Sequence, residues 1–70
     1  MGKNHKELNN QLEDRRRSSG LTQLELAEKV GVSRKSINSI ENGIYIPTTV
    51  LALKMATALN CTIHDLFQLP

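Results

Sequence analysis

The chain has 70 residues, 39% of them apolar and 23% charged, with a formal net charge of +2. That length makes one domain, burying roughly 60% of the surface its unfolded chain exposes, and leaves little room for an enclosed catalytic cleft. Its lone cysteine, Cys61, excludes an internal disulfide, is too few for a zinc site and points to a reducing compartment, while no apolar run approaches the ~18 residues of a membrane span.

Residues 1–5 are expected to form a flexible tail, and residues 6–70 a single all-α domain of five short helices. The polar N-terminus argues against a secretory leader, and Lys6 stands where N-myristoylation wants Ser or Thr. Helix one is expected from Lys6 to Ser19, with Leu8 and Leu12 on one face and Gly20 as its stop. Asn9, Asn10 and Gln11 read as its polar face. Helix two starts at Thr22, where Thr22-Gln23-Leu24-Glu25 has the form of a capping box. Leu26, Ala27 and Val30 make its buried stripe, and Gly31 suits a left-handed turn. Ser33 caps helix three, which runs from Arg34 to about Asn42. Ile37 and Ile40 face inward, so Arg34, Lys35, Asn38 and Ser39 face outward. The segment Ile44-Tyr45-Ile46-Pro47 is an extended connector. Helix four begins at Thr48 or Thr49, with Val50, Ala52, Leu53, Ala56 and Leu59 in its apolar set. Helix five is short, capped by Thr62, with Asp65 three residues on.

Charge and oil are unevenly spread. Eight of the nine Lys and Arg residues lie in residues 1–35, whereas sixteen of the 27 residues from Ile44 to Pro70 are apolar. The basic half fits a polyanion. The apolar half exceeds what so small a core needs and suggests a protein contact. Phe67 is expected in the core. Ile63, Leu66 and Leu69 are assigned to a dimer interface. His5 and His64 are too far apart and too few for a metal site, and no nucleophile–base pair, acid pair or phosphate loop can be assembled. No enzyme activity, cofactor or metal is expected.

The joint between helices two and three carries the function. Two capped helices, a small residue (Ala27), a glycine turn (Gly31) and an apolar turn residue (Val32) make a helix-turn-helix pattern. Its second helix offers two cations and two neutral hydrogen-bonding groups outward, as base readout in a major groove requires.

The run from Thr22-Gln23-x-Glu25-Leu26-Ala27 through Val30-Gly31-Val32-Ser33, Ile37 and Ile40-Glu41-Asn42-Gly43, then Tyr45-x-Pro47, resembles the Cro and phage-repressor (Xre) helix-turn-helix family. Leu51 to Ala56 and Leu66-Phe67 continue the likeness, which covers roughly residues 8–67 and is strongest to compact, stand-alone prokaryotic regulators. The resemblance implies a five-helix, lambda-repressor-like fold with the helix-turn-helix at helices two and three. It implies that Arg34, Lys35, Asn38 and Ser39 read bases, that Gln23 holds a phosphate and braces the recognition helix, and that Ser33, Asn42 and Tyr45 touch the DNA backbone. It also implies a structural ion pair between Arg16 and Glu41. Ile44 stands where Lys or Arg is frequent, which removes one phosphate contact.

The leading expectation is therefore a cytoplasmic, nucleoid-associated homodimer that binds a roughly palindromic double-stranded DNA site and regulates transcription, as a repressor. The alternative is a protein-interaction module, such as an antitoxin, that grips a partner through its apolar C-terminal surface. RNA binding lacks an aromatic stacking platform, since Tyr45 and Phe67 are the only aromatics.

Overall fold

Among the described residues, hydroxyl side chains start four of the five helices. Thr22, Ser33, Thr48 and Thr62 each accept a hydrogen bond from the backbone N–H three residues on, which satisfies one of the amides that a helix start leaves open. In the computed structural model, which describes residues 5–70, the order is β1 (Asn9–Asn10), α1 (Leu12–Ser18), α2 (Gln23–Val30), α3 (Arg34–Glu41), α4 (Thr49–Ala58), α5 (Ile63–Leu66) and β2 (Phe67–Gln68). Residues 1–4 of the expected N-terminal tail lie outside the described residues.

The first helix is shorter than its sequence suggests. It begins at Leu12 rather than Lys6; before it, Lys6 and Glu7 form a turn and Asn9–Asn10 are extended. Asn9 and Asn10 pair antiparallel with Gln68 and Phe67, and the Gln11 N–H donates to the Leu66 carbonyl at 2.8 Å. Asn10 is the cause. Its side chain offers the backbone an alternative to helix, as asparagine does near helix starts. Oδ1 accepts from the Leu12 N–H at 3.3 Å, and Nδ2 donates to the Ile40 carbonyl at 3.2 Å. Asn10 is thus a buried polar residue rather than part of a wet helix face. Leu8, displaced from α1, still packs against the core from the extended segment.

The core is formed by Leu12 of α1, Leu26, Ala27 and Val30 of α2, Ile37 and Ile40 of α3, Leu51, Ala52, Met55, Ala56 and Leu59 from α4 and its cap, Leu66 of α5, and Phe67 of β2. Helix α4 buries Ala52, Ala56 and Leu59 of its apolar set together with Leu51 and Met55, but not Val50 and Leu53. Val50 and Leu53 are 62% and 51% exposed, because burying positions 51, 52, 55 and 56 puts 50, 53 and 57 on the far side of a 3.6-residue helix. Cys61 packs half-buried against the core, and that burial pushes its thiol up from the ordinary value. Among the described residues, no helix is long and apolar enough to cross a membrane, and no cluster of His, Cys, Asp and Glu could hold a metal ion.

Two capping boxes link folding to pH. The Glu25 carboxylate accepts from the Thr22 N–H at 2.8 Å and the Asp65 carboxylate from the Thr62 N–H at 2.9 Å. These backbone bonds hold both carboxyls below their ordinary values. A group with a lowered folded-state pKa stabilises above its unfolded value, and that contribution is lost as pH falls through the folded value. Thermal melts from pH 7 down to 3 should therefore show the chain weakening through and below the ordinary carboxylate range. The Glu25→Gln/Asp65→Asn variant should lose less over the same interval. Parallel curves for the two proteins would contradict this origin of the acid sensitivity.

Candidate nucleic-acid interface

The turn between α2 and α3 is set by Gly31. Its φ of 78° is left-handed, a conformation costly for a side-chain-bearing residue. The Gly31 and Val32 N–H groups both donate to the Ala27 carbonyl, at 2.9 and 3.1 Å, which closes α2 and turns the chain into the Ser33 cap. Ile37 and Ile40 are then sunk in the core. Burying that face leaves Arg34, Lys35 and Asn38 exposed on the other, with Ser39 half-buried beside them.

Beneath this face lies a buried ion pair. Arg16 Nε donates to Glu41 Oε2 at 2.6 Å and Nη2 to Oε1 at 3.2 Å, while Nη1 donates to the Leu21 carbonyl at 2.8 Å. The two side chains are only 9% and 3% exposed. Hydrogen bonding to Glu41 holds the Arg16 guanidinium above its ordinary value, against the opposing effect of burial. The expected pair of Arg16 and Glu41 is thus formed. It ties α1 to α3 and fixes the loop that leads into α2.

The network continues outward through Gln23. Its Nε2 donates to Glu41 Oε1 at 2.9 Å and to Asn38 Oδ1 at 3.1 Å. Its Oε1 accepts from Arg34 Nη1 at 3.0 Å. Asn42 Nδ2 donates to Asn38 Oδ1 at 3.1 Å and to the Asn38 carbonyl at 2.8 Å. Four of the expected DNA-contacting residues, Gln23, Arg34, Asn38 and Asn42, therefore form one connected group. The other four, Ser33, Lys35, Ser39 and Tyr45, line a shallow depression together with Ser36. Sequence reasoning passed over Ser36. Its signal was its position three residues after the Ser33 cap, where its hydroxyl meets the Ser33 hydroxyl at 3.1 Å.

The remaining arginines of α1 have nearer partners. Arg17 pairs with Glu13 one turn back at 2.8 Å, and Arg15 lies 3.5 Å from Asp65. At the C-terminus, Leu66 is fully buried and presents no surface to a partner. The backbone bonds that join its carbonyl to Gln11 and Phe67 to Asn10 draw this end of α5 against the core. That corrects its assignment to a dimer interface. Ile63 is half-buried against the core, and Leu69 is 82% exposed.

The helix-turn-helix family model HTH_3 matches residues 12–66, so both short strands fall outside the match. The chain is 46% identical over 59 residues to an uncharacterized HTH-type transcriptional regulator of Methanothermobacter thermautotrophicus, covering 83% of this chain and 86% of that protein. Its fold is similar to that of the restriction-modification controller protein C.AhdI from Aeromonas hydrophila, with a TM-score of 0.74 and 33% identity over 77% of this chain and 82% of that one. It is also similar to SinR, a master regulator for biofilm formation solved in complex with DNA, with a TM-score of 0.71 and 30% identity over 76% and 86% of the two chains.

Removing Arg16 would leave Glu41 as a buried charge without its counter-ion. Loss of one partner of such a pair costs about 3–5 kcal/mol, a large share of the stability of a small domain. Arg16→Ala is expected to be largely unfolded at 25 °C by circular dichroism and thermal melting. A normal melting curve would show that Glu41 finds water or another partner instead.

Proposed function

The chain belongs to the HTH_3 helix-turn-helix family of Cro and phage-repressor type, and from that premise we propose that it is a sequence-specific DNA-binding transcriptional regulator acting as a homodimer. The observation that carries this reading is the outer face of α3. It is polar and cationic, rests on a core-bound apolar face, and has Arg34 and Asn38 already held by Gln23. Holding side chains before binding reduces the ordering cost that association must meet.

Helix α3 enters the major groove. Arg34, Lys35, Asn38 and Ser39 meet base edges and Ser33 and Tyr45 meet the sugar-phosphate backbone around them, while Gln23 and Asn42, whose amide N–H groups are given to Glu41 and Asn38, hold the reading residues in place. Phosphate contacts supply most of the affinity and make it fall with salt. Two copies with their recognition helices about 34 Å apart match a site of two inverted half-sites one helical turn apart. Exposed Leu69 and half-buried Ile63 are the C-terminal residues with apolar surface to give to that contact. Repression follows where such a site overlaps one that polymerase needs. A second reading, a protein partner on the C-terminal half, draws support from exposed Val50 and Leu53 on α4.

Selection of bound duplexes from a random pool, with competitor DNA near about 150 mM salt, tests this. The expected product is an inverted repeat with one-turn spacing. Arg34→Ala should weaken binding by about 1–3 kcal/mol and relax the choice of one base per half-site. Binding without sequence preference would refute base readout by α3, and a strict monomer by light scattering at tens of micromolar would refute the dimer.

A further inference from the structure

We infer that the Arg16–Glu41 pair, acting through Gln23, fixes the direction of the Asn38 amide so that Asn38 offers only donors and selects a G·C pair, resting on the DNA-reading role proposed above for α3. The chain of reasoning runs on hydrogen-bond polarity. A carboxylate paired with a guanidinium has oxygens that only accept. The Gln23 atom 2.9 Å from Glu41 Oε1 must therefore be its nitrogen. The Gln23 oxygen then points the other way, and there it meets Arg34 Nη1, a group that only donates, at 3.0 Å. Donor-only and acceptor-only neighbours at opposite ends demand the same orientation of the Gln23 amide.

That orientation is passed to Asn38. The second N–H of Gln23 Nε2 points at Asn38, so the Asn38 atom 3.1 Å away must be Oδ1. Asn42 adds an independent constraint. Its Nδ2 is held by the Asn38 backbone carbonyl at 2.8 Å, which accepts only, and the same nitrogen also donates to Asn38 Oδ1 at 3.1 Å. Turning the Asn38 amide over would set its nitrogen against two other nitrogens, donor against donor. The Asn38 oxygen is thus committed to two donors, and no hydrogen bond among the described residues engages Nδ2.

This determines what Asn38 can read. An asparagine with both ends available pairs with adenine through N7 and the N6 amino group, which needs its carbonyl. Here the carbonyl already accepts from Gln23 and Asn42, and the amino group is what Asn38 has left to offer a base. Guanine presents two adjacent acceptors, O6 and N7, in the major groove, whereas adenine sets a donor beside its N7 and thymine offers O4 alone, beside its methyl group. A donor-only Asn38 therefore favours a G·C pair, and Gln23 and Glu41 act as positioning residues for that choice.

The test is duplex selection with the unmodified protein, Asn38→Ala and Gln23→Ala, each checked by thermal melting. The base pair whose preference disappears in Asn38→Ala marks the Asn38 contact. The unmodified protein should prefer G·C over A·T there by about tenfold. In Gln23→Ala, where Asn38 loses one of the two donors that orient it, the preference should fall to within about threefold, even if overall affinity also drops. An A·T pair at that position would overturn the inference while leaving sequence-specific regulation intact. So would an Asn38→Ala variant with unchanged selection, or a Gln23→Ala variant that keeps the full G·C preference. If Gln23→Ala does not fold, the base pair chosen by the unmodified protein still decides the matter. Failure of the unmodified protein to select any sequence would overturn both this inference and the proposed function.

Discussion

The buried contact between Arg16 and Glu41 sits where the scaffold of this small domain meets its reading surface. One guanidinium serves three segments at once: its own helix α1, the end of α3 through Glu41, and the loop before α2 through the Leu21 carbonyl. With those segments fixed, the angle between α2 and α3 has little freedom. No buried side-chain nitrogen or oxygen among the described residues lacks a partner. That matters in an interior where an unmatched polar group is costly.

An ion pair of this kind is a poor device for stability alone, because desolvating two charges offsets most of their attraction, and apolar residues of similar shape often do as well. Its particular property is direction. An apolar pair could hold α1 against α3 equally firmly, but it would leave the Gln23 amide free to sit either way round. The carboxylate gives the network a sense, from acceptor at Glu41, through Gln23, to the groups at the surface. Scaffold and reading face therefore share atoms. A change at Glu41 acts on both, which makes their separate contributions visible only through variants farther out, such as those at Gln23.

The parts of the fold legible in the sequence were those governed by near neighbours. Hydroxyl caps act over three residues, and a left-handed glycine such as Gly31 acts on its own turn, so Thr22, Ser33, Thr62 and Gly31 could be read directly. The inward face of α3 was equally plain, because Ile37 and Ile40 stand alone among polar residues. Helix α4 is apolar on nearly every side, so its pattern does not specify which side is buried, and of its apolar set Val50 and Leu53 lie outside. The extended Asn9–Asn10 segment was hidden for another reason: its partners, Phe67 and Gln68, lie at the opposite end of the chain. For the candidate site, the outward residues of α3 were legible from spacing. The Arg16–Glu41 pair came only from resemblance, and the sense of the hydrogen-bond network could come only from coordinates.

The small β1–β2 ladder has a consequence for the order of events in folding. It joins residues nearly the full chain apart, Asn9 with Gln68 and Asn10 with Phe67, whereas the contact of α2 with α3 is made within some twenty residues of sequence. Closing a long loop costs more chain entropy than closing a short one, and two residue pairs return little for it. The helix-turn-helix can therefore assemble on local contacts, with the two chain ends meeting last. The same asymmetry holds in reverse: thermal opening begins at the paired ends, which can part and rejoin while Gln23, Arg34 and Asn38 keep their arrangement.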